Sequence, residues 1–298
     1  SRTVWKRTVV EDKGFNFNEW LASVLSDKSN HQIRQDVNWI IQTFISDTAY
    51  ANEVDSGISG WFGRYPRIPY GRATSYTEAN PERFVLAYPF LKQLALGFKQ
   101  LLPERYAAQM ACVTKLDSHF YVPGTPFTTI TVNKNFRTAA HRDEGDYGQG
   151  FSTLSVIAKT KGYNGGYLIL PEIDAAVNVR PGDLLLVANH DYIHGNTPIL
   201  APDVGELERI SLVCYLREDM LKLGSWEYER ARFNFIESRR TNEKHSQWHP
   251  RWNGVSEDWE NSEEWRLFLL SQPNGKAMLE QYHSNLTPGN NVEDLLFG

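Results

Sequence analysis

The sequence predicts an α+β protein in which a core of short antiparallel β-strands is flanked by helices from both ends of the chain. Runs rich in Val, Ile, Thr, Leu and aromatic residues follow one another between residues 110 and 220. Apolar residues recur at helical spacing before that region, and a Trp-rich segment of helical character follows it. The chain has 298 residues, of which 41% are hydrophobic, and this is enough to build a sizeable core.

The first 109 residues are predicted to form helical support for the β core. Two amphipathic stretches, within residues 18–25 and 33–44, have apolar residues at helical spacing. A third helix is predicted to begin after Asn80, because Asn is a favoured N-cap and Pro81 suits the first turn. Pro89 is expected to kink this helix, since proline lacks the amide hydrogen that a helix interior needs.

Five strands are predicted within residues 110–220, separated by turn-forming Pro, Gly, Asn and Asp residues. No helical pattern lies between them, which favours an antiparallel sandwich or barrel over βαβ units. Residues 221–298 are predicted to form a helical extension, so we expect a single domain over residues 1–298. The predicted strands are Phe127–Asn133, Phe151–Ala158, Gly166–Leu170, Asp183–Ala188 and Arg209–Leu216.

Composition argues against several classes of protein. No apolar run approaches the roughly 18–20 residues that a membrane-spanning helix needs. The first residues contain no apolar stretch typical of a secretory signal, so we expect a cytoplasmic protein. Two cysteines, Cys112 and Cys214, are too few for a disulfide framework or a cysteine zinc site. A net charge of −5 argues against coating nucleic acid through bulk charge, but a local basic groove stays open.

Two histidines and an aspartate lie near predicted strand ends. In His141-Arg142-Asp143 the outer residues are two apart, and residues two apart in an extended chain share a face. His194 follows the fourth predicted strand. Two imidazoles and one carboxylate form the facial triad typical of non-haem Fe(II) sites, which leaves coordination positions open. His190 is the rival second histidine, but the Gly-Asn-Thr-Pro turn and the spacing to the next motif favour His194.

A candidate carboxylate-binding pair begins the last predicted strand. Arg209 lies fifteen residues after His194, and Ser211 lies two residues further along the same strand face. A guanidinium fork together with a hydroxyl matches the distal carboxylate of a dicarboxylic acid. Either motif alone occurs often by chance. Their conjunction in this order is a much more specific signal.

Residues 110–220 resemble the double-stranded β-helix (jelly-roll, cupin-like) core of Fe(II)/2-oxoglutarate-dependent dioxygenases. The closer resemblance is to the TET/JBP branch, which oxidises the 5-methyl group of pyrimidines in nucleic acid. It is carried by Thr129–Gly150, by the Gly-Gly-Tyr-Leu-Ile-Leu-Pro and Arg-Pro-Gly-Asp runs, and by His194-Gly195-Asn196-Thr197-Pro198 and Glu208-Arg209-Ile210-Ser211.

This resemblance implies that Fe(II) is bound by His141, Asp143 and His194, and the 2-oxoglutarate carboxylate by Arg209 and Ser211. O₂ would be the second cosubstrate. The presence of Asp at position 143 implies hydroxylation, because halogenases of this superfamily leave that ligand position vacant.

Candidate substrate contacts fall into two groups. Polar residues alternate toward one face before the metal motif, and we assign Asn133 to 2-oxoglutarate and Asn135 and Arg137 to the substrate; solvated strand-end groups are the alternative. Asp146 lies in a Gly-flanked loop and is either part of a substrate lid or a turn residue. A segment of interleaved cations and aromatic residues suits phosphate contacts and base stacking, or is a surface loop anchored by its aromatic side chains. Its cations are Arg64, Arg67 and Arg72.

The expected reaction is hydroxylation of an unactivated C–H bond, with two substrate classes open. The resemblance favours the 5-methyl group of thymine or 5-methylcytosine in nucleic acid. The acidity of the chain favours a free small molecule such as an amino acid, a nucleoside or another metabolite. A non-enzymatic β-sandwich binding module is a third hypothesis, and the five site residues in order argue against it. No pattern in the sequence predicts an oligomeric state.

Overall fold

The structure is a computed structural model in which two compact units are recognised. Unit 1 combines residues 1–58, 96–98 and 130–215, and unit 2 combines residues 59–95, 99–129 and 216–298. The helices predicted within residues 18–25 and 33–44 lie outside the described residues, and the division at residues 109 and 220 stays a prediction. The structure describes residues 55–65, 68–159, 162–200, 207–238 and 259–286.

The described residues form short strands, helices and single 3-10 turns. The strands are β1 (Ser56–Phe62), β2 (Arg72–Ala73), β3 (Thr129–Lys134), β4 (Ser152–Ala158), β5 (Asn164–Gly165), β6 (Leu168–Leu170), β7 (Ala175–Val177), β8 (Leu184–Val187), β9 (Gly195–Asn196), β10 (Ile199–Leu200) and β11 (Arg209–Tyr215). The helices are α1 (Ser75–Ala79), α2 (Pro81–Leu86), α3 (Tyr88–Leu101), α4 (Pro103–Val113), α5 (Trp226–Glu237), α6 (Glu263–Leu270) and α7 (Gly275–Leu286). The 3-10 turns are Ser118–Phe120, Pro171–Ile173, Glu218–Lys222 and Trp259–Asn261.

Unit 1 contains an antiparallel β core. Strands β3, β11, β4 and β8 lie side by side in that order, and two smaller sheets follow the orders β7-β6-β9 and β10-β5. In the β11–β4 pair Arg209 lies opposite Ala158 and Cys214 opposite Thr153. The five predicted strands are present as β3, β4, β6, β8 and β11, with bounds that differ by one or two residues.

Apolar side chains of the strands in unit 1 form two small core clusters. Leu154 and Val156 of β4 pack with Val179, which follows β7. Leu168 of β6 packs with Val187 of β8. Because valine and leucine fit a pleated, half-buried surface, these short strands are stabilised by the packing of one sheet on another.

Unit 2 is largely helical. The helix predicted from Asn80 divides in two, because α2 ends at Leu86 and α3 begins at Tyr88. Pro89 then lies in the first turn of α3, where its missing N–H costs nothing. None of the helices in the described part of the chain is long and apolar enough to cross a membrane. The buried aromatic and aliphatic core of unit 2 consists of Tyr70, Tyr228, Ala231, Phe235, Ile236, Trp259, Trp265, Leu269 and Met278.

A buried carboxylate on α5 ties together distant segments of unit 2. Glu229 is 1% exposed and accepts hydrogen bonds from the backbone N–H groups of Gly71, at 2.7 Å, and Gly224, at 2.9 Å. Arg64 donates Nη2–H to Glu229 Oε1 at 2.5 Å and Nε–H to Oε2 at 3.3 Å. Burial opposes the charged form, but the charge and hydrogen bonds of Arg64 outweigh it and hold the pKa of the Glu229 carboxyl below its usual range.

Replacing Glu229 with glutamine is expected to destabilise the protein by about 3 kcal/mol, because the partly buried guanidinium of Arg64 loses its buried counter-charge. The lowered pKa of Glu229 means that its stabilisation is fully present above its ordinary value of 4.5 and is lost as the pH falls through the lower folded value. Urea unfolding as a function of pH should therefore show a flatter acid limb for Glu229→Gln than for the wild type. Glu263→Gln, at an exposed pair with Arg266, is the matched control and should leave the profile unchanged.

Candidate metal centre

The two histidines of the predicted triad face each other as a pair in an antiparallel bridge. His141 N–H donates to His194 O at 2.9 Å, and His194 N–H donates to His141 O at 2.9 Å. Residues paired in this way project their side chains to the same face, and the two imidazole centroids are 4.4 Å apart. Residues 53 positions apart in the chain are therefore brought together by backbone pairing.

Asp143 completes the cluster from the segment that follows His141. Its backbone N–H donates to Asn189 O at 3.1 Å, which fixes the chain beside the histidine pair. Asp143 Oδ1 lies 3.2 Å from His141 Nε2, and Asp143 Oδ2 lies 3.6 Å from His194 Nε2. One ligand atom from each of the three residues lies within 4.8 Å of the others.

The other ring nitrogen of each imidazole contacts a backbone carbonyl. His141 Nδ1 lies 2.7 Å from Ala139 O, and His194 Nδ1 lies 3.0 Å from Tyr192 O. A carbonyl only accepts, so each Nδ1 carries a proton, and each Nε2 can give up its own proton and offer a lone pair to a metal ion. Two such nitrogens beside one carboxylate fit a divalent metal ion.

The electrostatics of the cluster agree with that fit. Burial disfavours the charged carboxylate of Asp143, but hydrogen bonds and charges from His141 and His194 outweigh it and hold the pKa of Asp143 well below its usual range. Burial opposes the charged form of His141 as well, yet the hydrogen bond and charge of Asp143 raise the pKa of His141 above its ordinary value. The carboxylate is thus available as an anionic ligand at neutral pH.

The cluster is open on one side. The side chains of His141 and Asp143 are each 30% exposed, whereas that of His194 is 6% exposed. The rival His190 contacts Asp191 through Nδ1 at 3.1 Å and is not part of the cluster. Three ligands on one side of an ion leave positions for exogenous groups on the accessible side.

Arg209 is buried without a full set of partners. It is 2% exposed, and its Nη2–H donates to Gly166 O at a long 3.4 Å. Its Nε is buried and has no hydrogen-bond partner among the residues that the structure describes. Its Cζ lies 5.7 Å from the centroid of the Tyr163 ring, and Ser211 lies two residues further along β11 and is also buried. A buried guanidinium with an unmet donor fits the carboxylate of a dicarboxylic acid.

Glycines create the space for this arginine. Gly166 has φ +70°, and a Cβ there would lie 3.3 Å from Arg209 Nε. Gly165 has φ +74°, and a Cβ there would lie 1.9 Å from Pro198 O. Both positions need the left-handed backbone region that glycine adopts without strain.

The alternation predicted for Asn133, Asn135 and Arg137 is wrong, because β3 ends at Lys134 and Asn135 has φ +51°. Asn135 exchanges two hydrogen bonds with the backbone of Arg209, accepting from its N–H through Oδ1 and donating its own N–H to Arg209 O, both at 2.8 Å. Asn133 is buried, and its Oδ1 accepts from Ser56 Oγ at 2.5 Å. Arg137 Nε is buried, and no described residue bonds it.

The other four residues predicted to contact the substrate differ in burial and in hydrogen-bond partners, and one of them is not described. Asp146 is buried, and its Oδ2 accepts from Ser152 Oγ at 2.8 Å. The Arg64 guanidinium is engaged by Glu229 in unit 2, and its assignment to the substrate stays a prediction. Arg67 lies outside the described residues. Arg72 is partly exposed in β2 of unit 2.

Sequence reasoning missed Asn189 as a neighbour of the cluster. Its backbone oxygen accepts from Asp143. The residue is 3% exposed, and its Oδ1 has no partner within the described ranges. It also missed Tyr163 beside Arg209. Nothing in the local pattern marks either residue, because each approaches the site from another segment of the chain.

A β core that carries two histidines and a carboxylate, together with a buried arginine, is typical of non-haem Fe(II) oxygenases that use a dicarboxylic cosubstrate. The chain belongs to the Tet_JBP family: its residues 64–218, just over half of its length, match the model of this family, described as the oxygenase domain of the 2OGFeDO superfamily. This match confirms the predicted family, fold class and oxygenase class, with Fe(II), 2-oxoglutarate and O₂ as the cofactors of that superfamily.

Curated relatives carry the same domain within longer proteins. The chain is 35% identical over 169 residues to the bifunctional helicase and thymine dioxygenase JBP2 of Leishmania infantum. The aligned residues are 56% of this chain and 15% of the relative. It is 34% identical over 168 residues to the thymine dioxygenase JBP1 of Trypanosoma brucei brucei, 55% of this chain and 19% of the relative. The matched region is thus less than a fifth of each relative. A solved structure of NgTET1 in complex with 5mC DNA covers 69% of this chain and 76% of its own, at 19% identity and a TM-score of 0.49.

Proposed function

We propose that this chain hydroxylates the 5-methyl group of a pyrimidine, thymine or 5-methylcytosine, in nucleic acid. The observation that carries the proposal is the cluster of His141, Asp143 and His194 in a chain of the Tet_JBP family. The curated relatives named above are thymine dioxygenases, which supports a methylated pyrimidine as the substrate. The cytoplasmic location expected from the sequence stays a prediction.

In this proposal each site residue has a defined task. His141, Asp143 and His194 hold Fe(II), and the Nδ1–H bonds to Ala139 O and Tyr192 O orient the two imidazoles. The bound iron with 2-oxoglutarate and O₂ supplies the chemistry that inserts one oxygen atom into a C–H bond and releases succinate and CO₂.

Arg209 and Ser211 orient the cosubstrate. The Arg209 fork and the Ser211 hydroxyl bind the distal carboxylate of 2-oxoglutarate. The double hydrogen bond between Asn135 and the Arg209 backbone holds that fork at a fixed point on β11, so Asn135 is a positioning residue. Burial of Arg209 excludes water from the ion pair and strengthens it.

The substrate base is expected to lie near Asp146 and Arg137. A methylated pyrimidine presents an N–H or NH₂ donor on its Watson–Crick edge, and the buried carboxylate of Asp146 is an acceptor for it. The unmatched Nε–H of Arg137 is a donor for a base carbonyl or a phosphate. In a duplex the base has to leave the stack to reach the iron, which costs a few kcal/mol and favours single-stranded or easily opened substrates.

A substrate panel tests the proposal. We expect oligonucleotides that contain thymine or 5-methylcytosine to stimulate succinate formation and to gain one oxygen atom in mass. His194→Ala is the inactive control, and oligonucleotides with cytosine and uracil but no 5-methyl group should give no mass gain. Turnover of a free amino acid, nucleoside or other metabolite, with no modified oligonucleotide, would show that the small-molecule alternative is correct.

A further inference from the structure

Two guanidinium groups of unit 2 lie on one aromatic ring. Arg72 Cζ lies 5.3 Å from the centroid of the Phe62 ring, and Arg217 Cζ lies 5.2 Å from it. The β1–β2 register places Arg72 directly opposite Phe62, so the closeness of that pair is built into the backbone. We call Phe62, Arg72, Arg217 and Asp219 the Phe62 cluster.

The Phe62 cluster has more positive than negative charge. Arg217 Nε lies 3.2 Å from Asp219 Oδ1, so the single carboxylate of the cluster is engaged by Arg217. Arg72 donates Nη1–H to Gly63 O at 3.3 Å, and no carboxylate in the described part of the chain forms an ion pair with it. A Cβ at Gly63 would lie 2.6 Å from Asp219 Cγ, so Asp219 is packed against that backbone. Two guanidinium groups against one carboxylate leave a charge of +1.

The environment of Arg72 favours the arrival of an anion. Partial burial lowers the pKa of Arg72, Arg217 lowers it further, and Tyr70 and Asp219 only partly oppose the change. The side chains of Arg217 and Asp219 are 28% and 31% exposed, so an external group can reach them. An anion with two oxygens side by side would pair with guanidinium donors and relieve the repulsion between like charges.

We infer that the Phe62 cluster is a docking site for a phosphodiester of the nucleic-acid backbone, and this inference rests on the proposed function. A phosphodiester has one negative charge and two non-bridging oxygens, which match the excess charge and the guanidinium donors. The Phe62 ring is covered by guanidinium groups, which favours a phosphate over a stacked base at this place. Contacts of this kind position a nucleic acid and do not read its sequence.

Salt dependence of binding tests the inference. The binding of a short fluorescent DNA oligonucleotide to the full chain is measured between about 50 and 200 mM KCl for the wild type and Arg72→Gln. We expect Arg72→Gln to weaken binding by about tenfold. The slope of log K against log salt should fall in magnitude by about 0.9 for a duplex or 0.7 for a single strand. Asp219→Asn, which adds one net positive charge to the cluster, should strengthen binding.

Matched variants keep the test decisive. Arg266→Gln removes an exposed guanidinium whose Nε and Nη2 bond Glu263, and it should leave slope and affinity unchanged. Arg72→Lys keeps the positive charge but loses the paired donors of the guanidinium, so the slope of log K against log salt should be unchanged and the affinity partly lost. This variant replaces Arg72→Gln in the test if Arg72→Gln does not fold. Millimolar inorganic phosphate should weaken oligonucleotide binding no more than KCl of the same ionic strength does. The inference would be overturned by two results together: inorganic phosphate competes with the oligonucleotide for the wild type but not for Arg72→Gln, and the salt slope of oligonucleotide binding is the same in both proteins. The Phe62 cluster would then be a site for a free anion.

The two proposals fail in different ways. If the wild type oxidises an oligonucleotide and Arg72→Gln has the same salt slope of binding as the wild type, only the docking site is overturned. A wild type that binds no oligonucleotide and oxidises only a free metabolite overturns both the docking site and the nucleic-acid substrate.

Discussion

Replacing Asp143 with alanine is expected to lower turnover by at least about a thousandfold and to weaken Fe(II) binding by more than about 100-fold. The reason is geometric and electrostatic, because the two oxygens of the Asp143 carboxylate lie 3.2 Å from His141 Nε2 and 3.6 Å from His194 Nε2 and supply an anionic ligand. Anaerobic calorimetry with Fe(II) measures the affinity, and succinate formation measures turnover. The pKa of His141 should also fall in the metal-free variant, since Asp143 raises it, and proton NMR of the imidazole would detect this change.

The two nearby histidines provide a matched pair of controls. His194→Ala should lose metal binding as Asp143→Ala does, whereas His190→Ala should keep it, because His190 contacts Asp191 and lies outside the cluster. Equal loss in both histidine variants, or tight Fe(II) binding by Asp143→Ala, would contradict the assignment of the metal ligands.

Replacing Arg209 with methionine is expected to raise the Kd for 2-oxoglutarate by at least about 100-fold while Fe(II) binding is kept. A pair of charge-assisted hydrogen bonds is lost, each worth about 1.5–3 kcal/mol. Without cosubstrate the variant should be at least as stable as the wild type. Arg209 Nε is buried and has no partner in the described part of the chain, and methionine fills similar space with an apolar side chain. Titration with 2-oxoglutarate in the presence of anaerobic Fe(II), together with thermal unfolding, measures both quantities.

Arg180 is the matched control for Arg209, because both guanidinium groups lie near the Tyr163 ring. Arg180 Cζ lies 4.6 Å from the ring centroid, and Arg180 Nη1–H donates to Tyr163 O at 3.1 Å. Arg180→Met should therefore leave 2-oxoglutarate affinity nearly unchanged, and Arg209→Lys should restore part of it. If Arg209→Met lost Fe(II) and cosubstrate together, the arginine would be a structural residue and the proposed role would be wrong.

Two parts of the site, the His141–Asp143 pair and the Arg209–Ser211 pair, could be predicted from sequence because each depends on a local rule. His141 and Asp143 are two residues apart, as are Arg209 and Ser211, and residues at this spacing share a face in an extended chain. Gly, Pro and Asn residues between the apolar runs indicated where strands end. Five strands of the β core were therefore predicted from local patterns, with each end within two residues of its observed position.

Contacts between distant segments were not accessible from local patterns. Arg64 looked like a phosphate contact because of its aromatic neighbours, but its partner Glu229 lies 165 residues away. Asn135 looked like one more residue of an alternating strand, yet its left-handed backbone turns its amide to Arg209, 74 residues on. Asparagine tolerates that region better than most residues do, and only the surrounding fold decides whether it is used.

The glycine pair at positions 165 and 166 has a consequence for inherited variation. Neither residue donates a side-chain atom to iron or to 2-oxoglutarate, yet a methyl group at either one would press on Pro198 O or on Arg209 Nε. Replacing Gly166 with a larger residue is therefore expected to displace the Arg209 guanidinium and to weaken 2-oxoglutarate binding, with the side chains proposed to bind the metal untouched. Naturally occurring chains with an intact His-Asp-His set and a bulky residue at position 166 are expected to bind iron but to have a reduced affinity for 2-oxoglutarate.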